Sequence, residues 1–243
     1  GGELSARRDH YPGMNDSICR TTTIREHVTG PRPAFRDRAH AGDELADHMG
    51  LDPDPAAQVL AIPRGGVAVG RVLADRLNAP LAPVFVRKLP IPDSPEAGFG
   101  AVALDGSTVL NDWLVNSLGL SSSEIDTVVS RVLAEVSRRA GRYRVRNVHD
   151  TLKDRTVYLV DDGLASGYTA LAAIKMIRGH NPARLVVAVP VSPMSSIRMV
   201  EEVVDGLHCL IAQAQSPFAV ASFYRSFPDL TDEQVEALLA GNR

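Results

Sequence analysis

The sequence predicts an α/β fold built on an open, mainly parallel sheet with helices on both faces. Two observations carry this. Short segments that are apolar throughout, such as Val59-Leu60-Ala61-Ile62 and Val157-Tyr158-Leu159-Val160, need cover on both faces, as strands inside a parallel sheet do. They alternate with segments whose apolar residues recur at helical spacing, the order that strand-helix-strand crossovers require. With 243 residues, 44% of them hydrophobic, the chain can bury one substantial core and carry appendages.

The elements follow in order. Residues 1 to about 33 are polar, carry Gly13, Gly30, Pro31 and Pro33 and show no sustained periodicity, which predicts a flexible leader before a domain over 34–243. From Phe35 the residues Ala39, Gly42, Leu45, Ala46 and Met49 fall on one helical face, stopped by Gly50 and Pro53. The strand Val59 to Ile62 leads through a Pro-Arg-Gly-Gly turn into a helix from about Val67 to Leu77, and Leu81 to Leu89 reads as the next strand. A Pro/Gly-rich segment over 90–100 reads as a loop, and Ala101 to Leu110, broken by Asp105-Gly106, as a hairpin. Ser121 and Glu124 stand at capping-box spacing before a long amphipathic helix reaching Arg142, with Ile125, Val128, Val129, Val132, Leu133 and Val136 as its stripe. The second half repeats the rhythm: strand Val157 to Val160, helix Tyr168 to Arg178, strand Leu185 to Val191, helix Met194 to Val204, strand Leu207 to Ile211. Thr231 and Gln234 cap a last helix at Val235 to Leu239.

Composition narrows the function. The net charge of -3, from 26 basic and 29 acidic residues spread along the chain, builds no cationic field for nucleic acid or an anionic membrane. No apolar run approaches the length of a membrane span. Cys19 sits in a polar stretch and Cys209 in an apolar one, which argues against a disulfide framework and for a reducing, cytoplasmic setting.

One segment carries chemistry. The strand ending at Val160 runs into Asp161-Asp162, then the small residues Gly163-Leu164-Ala165-Ser166-Gly167, then Tyr168-Thr169 at the start of a helix. Gly163 and Gly167 let the chain turn tightly and aim backbone N-H groups inward, while Ser166 and Thr169 add hydroxyls at a helix N-terminus. Such a cup suits a phosphate monoester. Carboxylates at its mouth accept hydrogen bonds from vicinal hydroxyls and bind divalent metal through water. Phosphate donors beside diol acceptors describe a ribose 5-phosphate.

The stretch Asp161 to Thr169 resembles the signature of type I phosphoribosyltransferases, which bind 5-phosphoribosyl 1-pyrophosphate (PRPP). The resemblance implies an open sheet with a small hood formed from the N- and C-terminal segments, a homodimer, and transfer of the phosphoribosyl group to a nucleobase with Mg²⁺ as cofactor. It also implies that Asp161 and Asp162 hold the ribose hydroxyls, Asp162 handling a proton or stabilising charge, and that Ala165 to Thr169 hold the 5-phosphate. Arg64, Gly65 and Gly66, with Arg87 and Lys88, correspond to the pyrophosphate-binding positions, Lys88 touching the leaving group. The segment 90–100, with Glu96, Gly98 and Gly100, corresponds to a mobile loop that closes over the reacting ribose. Phe35 to Gly42, the Pro-Arg-Gly-Gly-Val turn, and Pro217 to Val220 with Tyr224 and Phe227 are similar to a bacterial group of phosphoribosyltransferases of unassigned acceptor, over residues 34 to 240.

Other readings stand beside these. Gly65-Gly66 with Gly70 also fit an imperfect dinucleotide loop of an NADP-binding Rossmann enzyme, and a PRPP site also serves a non-catalytic regulator. Arg64 reads equally as a surface turn residue. Trp113 reads as packing, the cluster Arg138, Arg139, Arg142 and Arg144 as a solvated helix end, His149 and His180 as structural or exposed, and Tyr224 and Phe227 as either hood or core.

Overall fold

A computed structural model describes residues 20–91, 94–143 and 152–241. Residues 1–19 of the expected leader, with Cys19, and also Arg144 and His149, lie outside these. Nine strands and seven helices are present among the described residues: β1 (Thr21–Val28), α1 (Arg38–Met49), β2 (Gln58–Ala61), α2 (Gly65–Leu77), β3 (Leu81–Pro83), β4 (Val86–Ile91), β5 (Ser94–Ala103), β6 (Thr108–Leu110), α3 (Asp112–Leu118), α4 (Ser122–Ala140), β7 (Thr156–Val160), α5 (Tyr168–Arg178), β8 (Arg184–Pro193), α6 (Met194–Glu201), β9 (Gly206–Gln213) and α7 (Asp232–Ala240). No described helix is long and apolar enough to cross a membrane.

Six strands form one parallel sheet in the order β1-β9-β8-β7-β2-β3. β2 and β8 are almost wholly buried, as their apolar runs Val59 to Ala61 and Leu185 to Val191 require. The two faces carry different cores. Leu45, Val69, Leu73 and Leu77 of α1 and α2 pack one side with Val59, Val191 and Leu210. Ile174 and Ile177 of α5 and Ile197 and Val200 of α6 pack the other with Leu60, Leu159, Val187 and Leu207.

The expected single strand Leu81 to Leu89 is two. After Val84 N-H donates to Ala61 O, the chain leaves the parallel sheet and begins β4 in a second, antiparallel sheet ordered β4-β5-β6. This smaller sheet is the hood, and a third core lies beneath it, where Phe85, Leu89, Phe99 and Val102 meet Val132 and Val136 of α4 and Val235 of α7. The segment expected as a mobile loop over 90–100 is largely strand: Pro90 and Ile91 end β4, and residues 94–100 open β5. Its glycines serve close approach. A Cβ on Gly98 would stand 3.0 Å from Leu89 O, and one on Gly100 2.3 Å from Val109 O. The hairpin at Asp105-Gly106 forms as expected, with Gly106 at φ +89° and Ser107 N-H donating to Asp105.

Two further expectations need correction. Thr21–Val28 is not leader but an edge strand, paired in parallel with β9 from Thr21 opposite Gly206 to Val28 opposite Gln213. One ladder and one half-covered face suffice at an edge, so β1 tolerates Arg25, Glu26 and His27 without apolar alternation. Trp113 does not pack: α3 buries none of its residues and Trp113 is 75% exposed.

The helix termini are as the sequence implies. The capping boxes Ser121/Glu124 and Thr231/Gln234 are both formed. Arg178 closes α5 in an unexpected way, with its side chain 1% exposed and Nη2 3.0 Å from Asp205 Oδ2, the same oxygen that accepts Leu185 N-H at 2.6 Å. One buried ion pair therefore ties α5 to the starts of β8 and β9. Asp205→Ala strands the guanidinium without a counter-charge and is expected to cost about 3–5 kcal/mol, read as a lowered midpoint in urea denaturation; an unchanged midpoint would show that the pair is not structural.

Candidate active site

β2 and β7 are neighbours in register, with Ala61 beside Val160, so the loops leaving their carboxyl ends meet. Ile62 N-H donates to Val160 O at 2.9 Å and locks the two exits together. Beyond this point Pro63-Arg64 is joined by a cis peptide, and α2 begins at once with Gly65-Gly66. Those two glycines lie directly against the two carboxylates. A Cβ on Gly65 would fall 1.8 Å from Asp162 Oδ2, and one on Gly66 2.9 Å from Asp161 Cα. No other residue type fits at either position while the acids stay where they are.

Each acid is held differently. Asp161 Oδ1 accepts the Asp162 N-H at 2.8 Å. Asp162 Oδ2 accepts Arg38 Nε at 2.7 Å, with the two side chains 14% and 8% exposed. Arg38 also donates through Nη1 to Pro228 O at 2.7 Å and lies over the Phe227 ring, 3.7 Å from its centroid. The Tyr224 hydroxyl donates to the Asp162 main-chain carbonyl at 2.6 Å. Burial pushes the Asp161 carboxyl well above the ordinary range, and the neighbouring Asp162 charge pushes it further. Burial also raises Asp162, and Arg38 opposes that rise.

Downstream, the loop folds as a cup. Gly163 has no room for a Cβ, which would meet Val191 and Val220 at 2.7 Å. Leu164 N-H donates to Val191 O at 3.0 Å, and Ser196 Oγ donates to Ala165 O at 2.6 Å. Gly167 takes φ +81° and caps α5. Among the described residues the amides of Ala165 to Thr169 donate no hydrogen bond, so the first turn of α5 presents unpaired N-H groups together with the Ser166 and Thr169 hydroxyls.

The residues singled out from the sequence divide accordingly. Gly65 stands against Asp162 and Gly66 against Asp161. The Leu164 side chain is buried in the core and anchors the loop. Tyr168 is half-buried against the same core. Arg64 is partly exposed, 4.0 Å from Asp229. Arg87 pairs with Glu135 of α4 at 3.3 Å, so it braces the hood. Lys88, next along β4, lies on the opposite face by strand alternation. Glu96, Gly98 and Gly100 belong to β5. Tyr224 and Phe227, left open between hood and core, join the core beside α1: Tyr224 is buried, its ring 5.4 Å from that of Phe35 and 4.8 Å from that of Phe227.

The sequence assigns no role to Ser196 or to Arg38, although Arg38 lies in the stretch Phe35 to Gly42. A signal for Arg38 was present: it precedes Ala41 and Leu45 by three and seven residues, on the buried face of α1, where a cation needs a partner.

The profile of the phosphoribosyl transferase domain family matches residues 43–225. A Mycobacterium tuberculosis protein, of strain H37Rv, provisionally named phosphoribosyl transferase, is 40% identical over 205 residues, which cover 84% of this chain and 46% of that protein; its counterpart in strain CDC 1551 gives the same figures. The chain thus spans about half the length of the curated relatives it matches. The crystal structure of the protein TT1426 from Thermus thermophilus superposes with a TM-score of 0.69 at 38% identity, covering 85% of this chain and 97% of that one.

The buried acid pair has a measurable consequence. A carboxyl whose proton affinity rises on folding supports the folded state at low pH and loses that support as pH climbs through its raised value. Asp161→Asn removes the charge and keeps an acceptor for Asp162 N-H. It is expected to raise the melting temperature at pH 7, by a margin that vanishes below the ordinary carboxyl range; thermal melts from pH 4 to 8 check this, and a variant less stable than wild type at pH 7 would contradict it.

Proposed function

The chain belongs to the phosphoribosyl transferase family, and we propose that it transfers the 5-phosphoribosyl group of PRPP to a nitrogenous acceptor, a nucleobase, releasing pyrophosphate. The observation that carries the reading is the juxtaposition of a cup of unpaired amides at the α5 N-terminus with two carboxylates and the Arg64-Gly65-Gly66 turn. A donor with phosphate at one end, a diol in the middle and pyrophosphate at the other matches those three parts in that order.

In this reading the amides of Ala165 to Thr169 and the hydroxyls of Ser166 and Thr169 hold the 5-phosphate. Asp161 and Asp162 accept the ribose hydroxyls. Arg64, the first turn of α2 and Lys88 face the pyrophosphate and offset the charge that grows on it as the glycosidic bond breaks. Arg87, committed to Glu135, is left out of that set. Asp162, whose carboxylate accepts from Arg38, takes the proton-handling or charge-stabilising role. Positioning and charge stabilisation suffice, and no covalent nucleophile is needed.

Among the described residues no three His, Cys, Asp or Glu side chains converge on one point. The Asp161-Asp162 pair nevertheless offers hard oxygen donors of the kind Mg²⁺ takes alongside substrate oxygens and water. When bound there, the ion would supply neutralisation of the pyrophosphate charge. The same reading includes a cytoplasmic location and a homodimer. The dinucleotide alternative for Gly65, Gly66 and Gly70 gives way to the family match.

Calorimetric titration with PRPP and Mg²⁺, followed by a nucleobase screen for pyrophosphate release, tests the proposal. Saturable binding and release that depends on one base are expected. The double variant Asp161→Asn with Asp162→Asn should abolish release; undiminished PRPP-dependent turnover in it would sink the assignment.

A further inference from the structure

We propose that Arg38 is a positioning residue for the donor site, setting the Asp162 carboxylate through a guanidinium that is itself seated on the C-terminal segment Phe227-Pro228. The inference rests on the PRPP reading above and concerns a residue that makes no contact assigned there to substrate.

The placement of Arg38 has no local explanation. It is the first residue of α1, after the Asp37 N-cap, where the helix dipole favours an anion over a cation. It is also buried, and a buried guanidinium costs several kcal/mol unless paired. Both penalties are offset at one point, the 2.7 Å bond from Nε to Asp162 Oδ2. Opposite, Gly65 makes room for both partners: a Cβ there would stand 1.8 Å from Asp162 Oδ2 and 2.9 Å from Arg38 Nε. The carboxylate therefore lies between a glycine backbone and the edge of the Arg38 guanidinium.

The guanidinium is held in turn. Nη1 donates to Pro228 O at 2.7 Å, and the plane rests on Phe227. Tyr224, from the same segment, grips the Asp162 carbonyl. That segment is fixed by the bonds of Ala34 and Phe35 N-H to Phe223 O, at 2.8 and 2.9 Å, and of Arg225 N-H to Phe35 O at 2.8 Å. Asp162 is thus gripped twice by residues 224–228, once on its main chain and once through Arg38. Nε and Nη1 of Arg38 are used in fixed directions, a fork that a lysine cannot reproduce.

The test compares ligands that do and do not carry the ribose diol. Calorimetry on wild type, Arg38→Lys and Tyr224→Phe, each with PRPP and with inorganic pyrophosphate in the presence of Mg²⁺, separates positioning from general damage. Arg38→Lys is expected to weaken PRPP at least about 10-fold, the usual scale for losing a residue that orients a ligand-binding group, and to leave pyrophosphate within about 2-fold. Tyr224→Phe, which keeps the ring and its packing, should show the same selectivity with a smaller factor. Equal losses for both ligands in Tyr224→Phe, or PRPP binding unchanged in Arg38→Lys, would overturn the positioning role. Wild type that fails to bind PRPP at all would instead overturn the reading on which it rests.

Discussion

Two adjacent carboxylates buried at the end of a strand repel each other and lose hydration together, and the architecture around Asp161-Asp162 is the set of compensations for that one arrangement. Gly65 and Gly66 give up their side chains to make space. Arg38 places a counter-charge where a helix would rather have none. Tyr224 and Phe227 hold that arginine and the Asp162 main chain, and the clasp between Phe35 and Phe223 holds the segment that carries them. A residue early in the domain and one near its end are thereby brought onto the same strand exit.

The amide cup is compensated in the opposite sense. Its N-H groups are left without partners, but the loop that bears them is fastened from behind: Leu164 to the core, Ala165 O to Ser196, Gly163 beneath Val191 and Val220. Preorganised donors cost nothing to align when a phosphate arrives. The loop's small residues are therefore needed for fit against α6 and β8 as much as for turning.

Much of this was legible in the sequence because it depends on local pattern. The apolar strands, the capping boxes of α4 and α7, and the Asp-Asp-Gly to Gly-Tyr-Thr loop each follow from residues close together in the chain. What was not legible depends on partners far away. The split of Leu81 to Leu89 between two sheets follows from Val84 bonding to Ala61 while Phe85 accepts from Leu104. The ion pair of Arg87 depends on Glu135, and that of Arg38 on Asp162, 124 residues on. Gly98 and Gly100 suggested freedom, yet they serve crowding by Leu89 and Val109, which no count of glycines reveals.

β1 also depends on a partner far along the chain. Its Thr23 hydroxyl bonds the ring of His208, 185 residues further along the chain, and every rung of its ladder is to β9. On a ribosome adding roughly 5–20 residues per second, β1 therefore waits on the order of ten to forty seconds for the strand it will join. A segment as apolar as β8 would be a hazard over such an interval, free to pair with any passing strand edge. The run Thr21 to Val28 is instead threaded with hydroxyls and charges. The polarity that conceals β1 from a reading of hydrophobic pattern is the same property that lets it remain harmless in water until its place in the sheet exists.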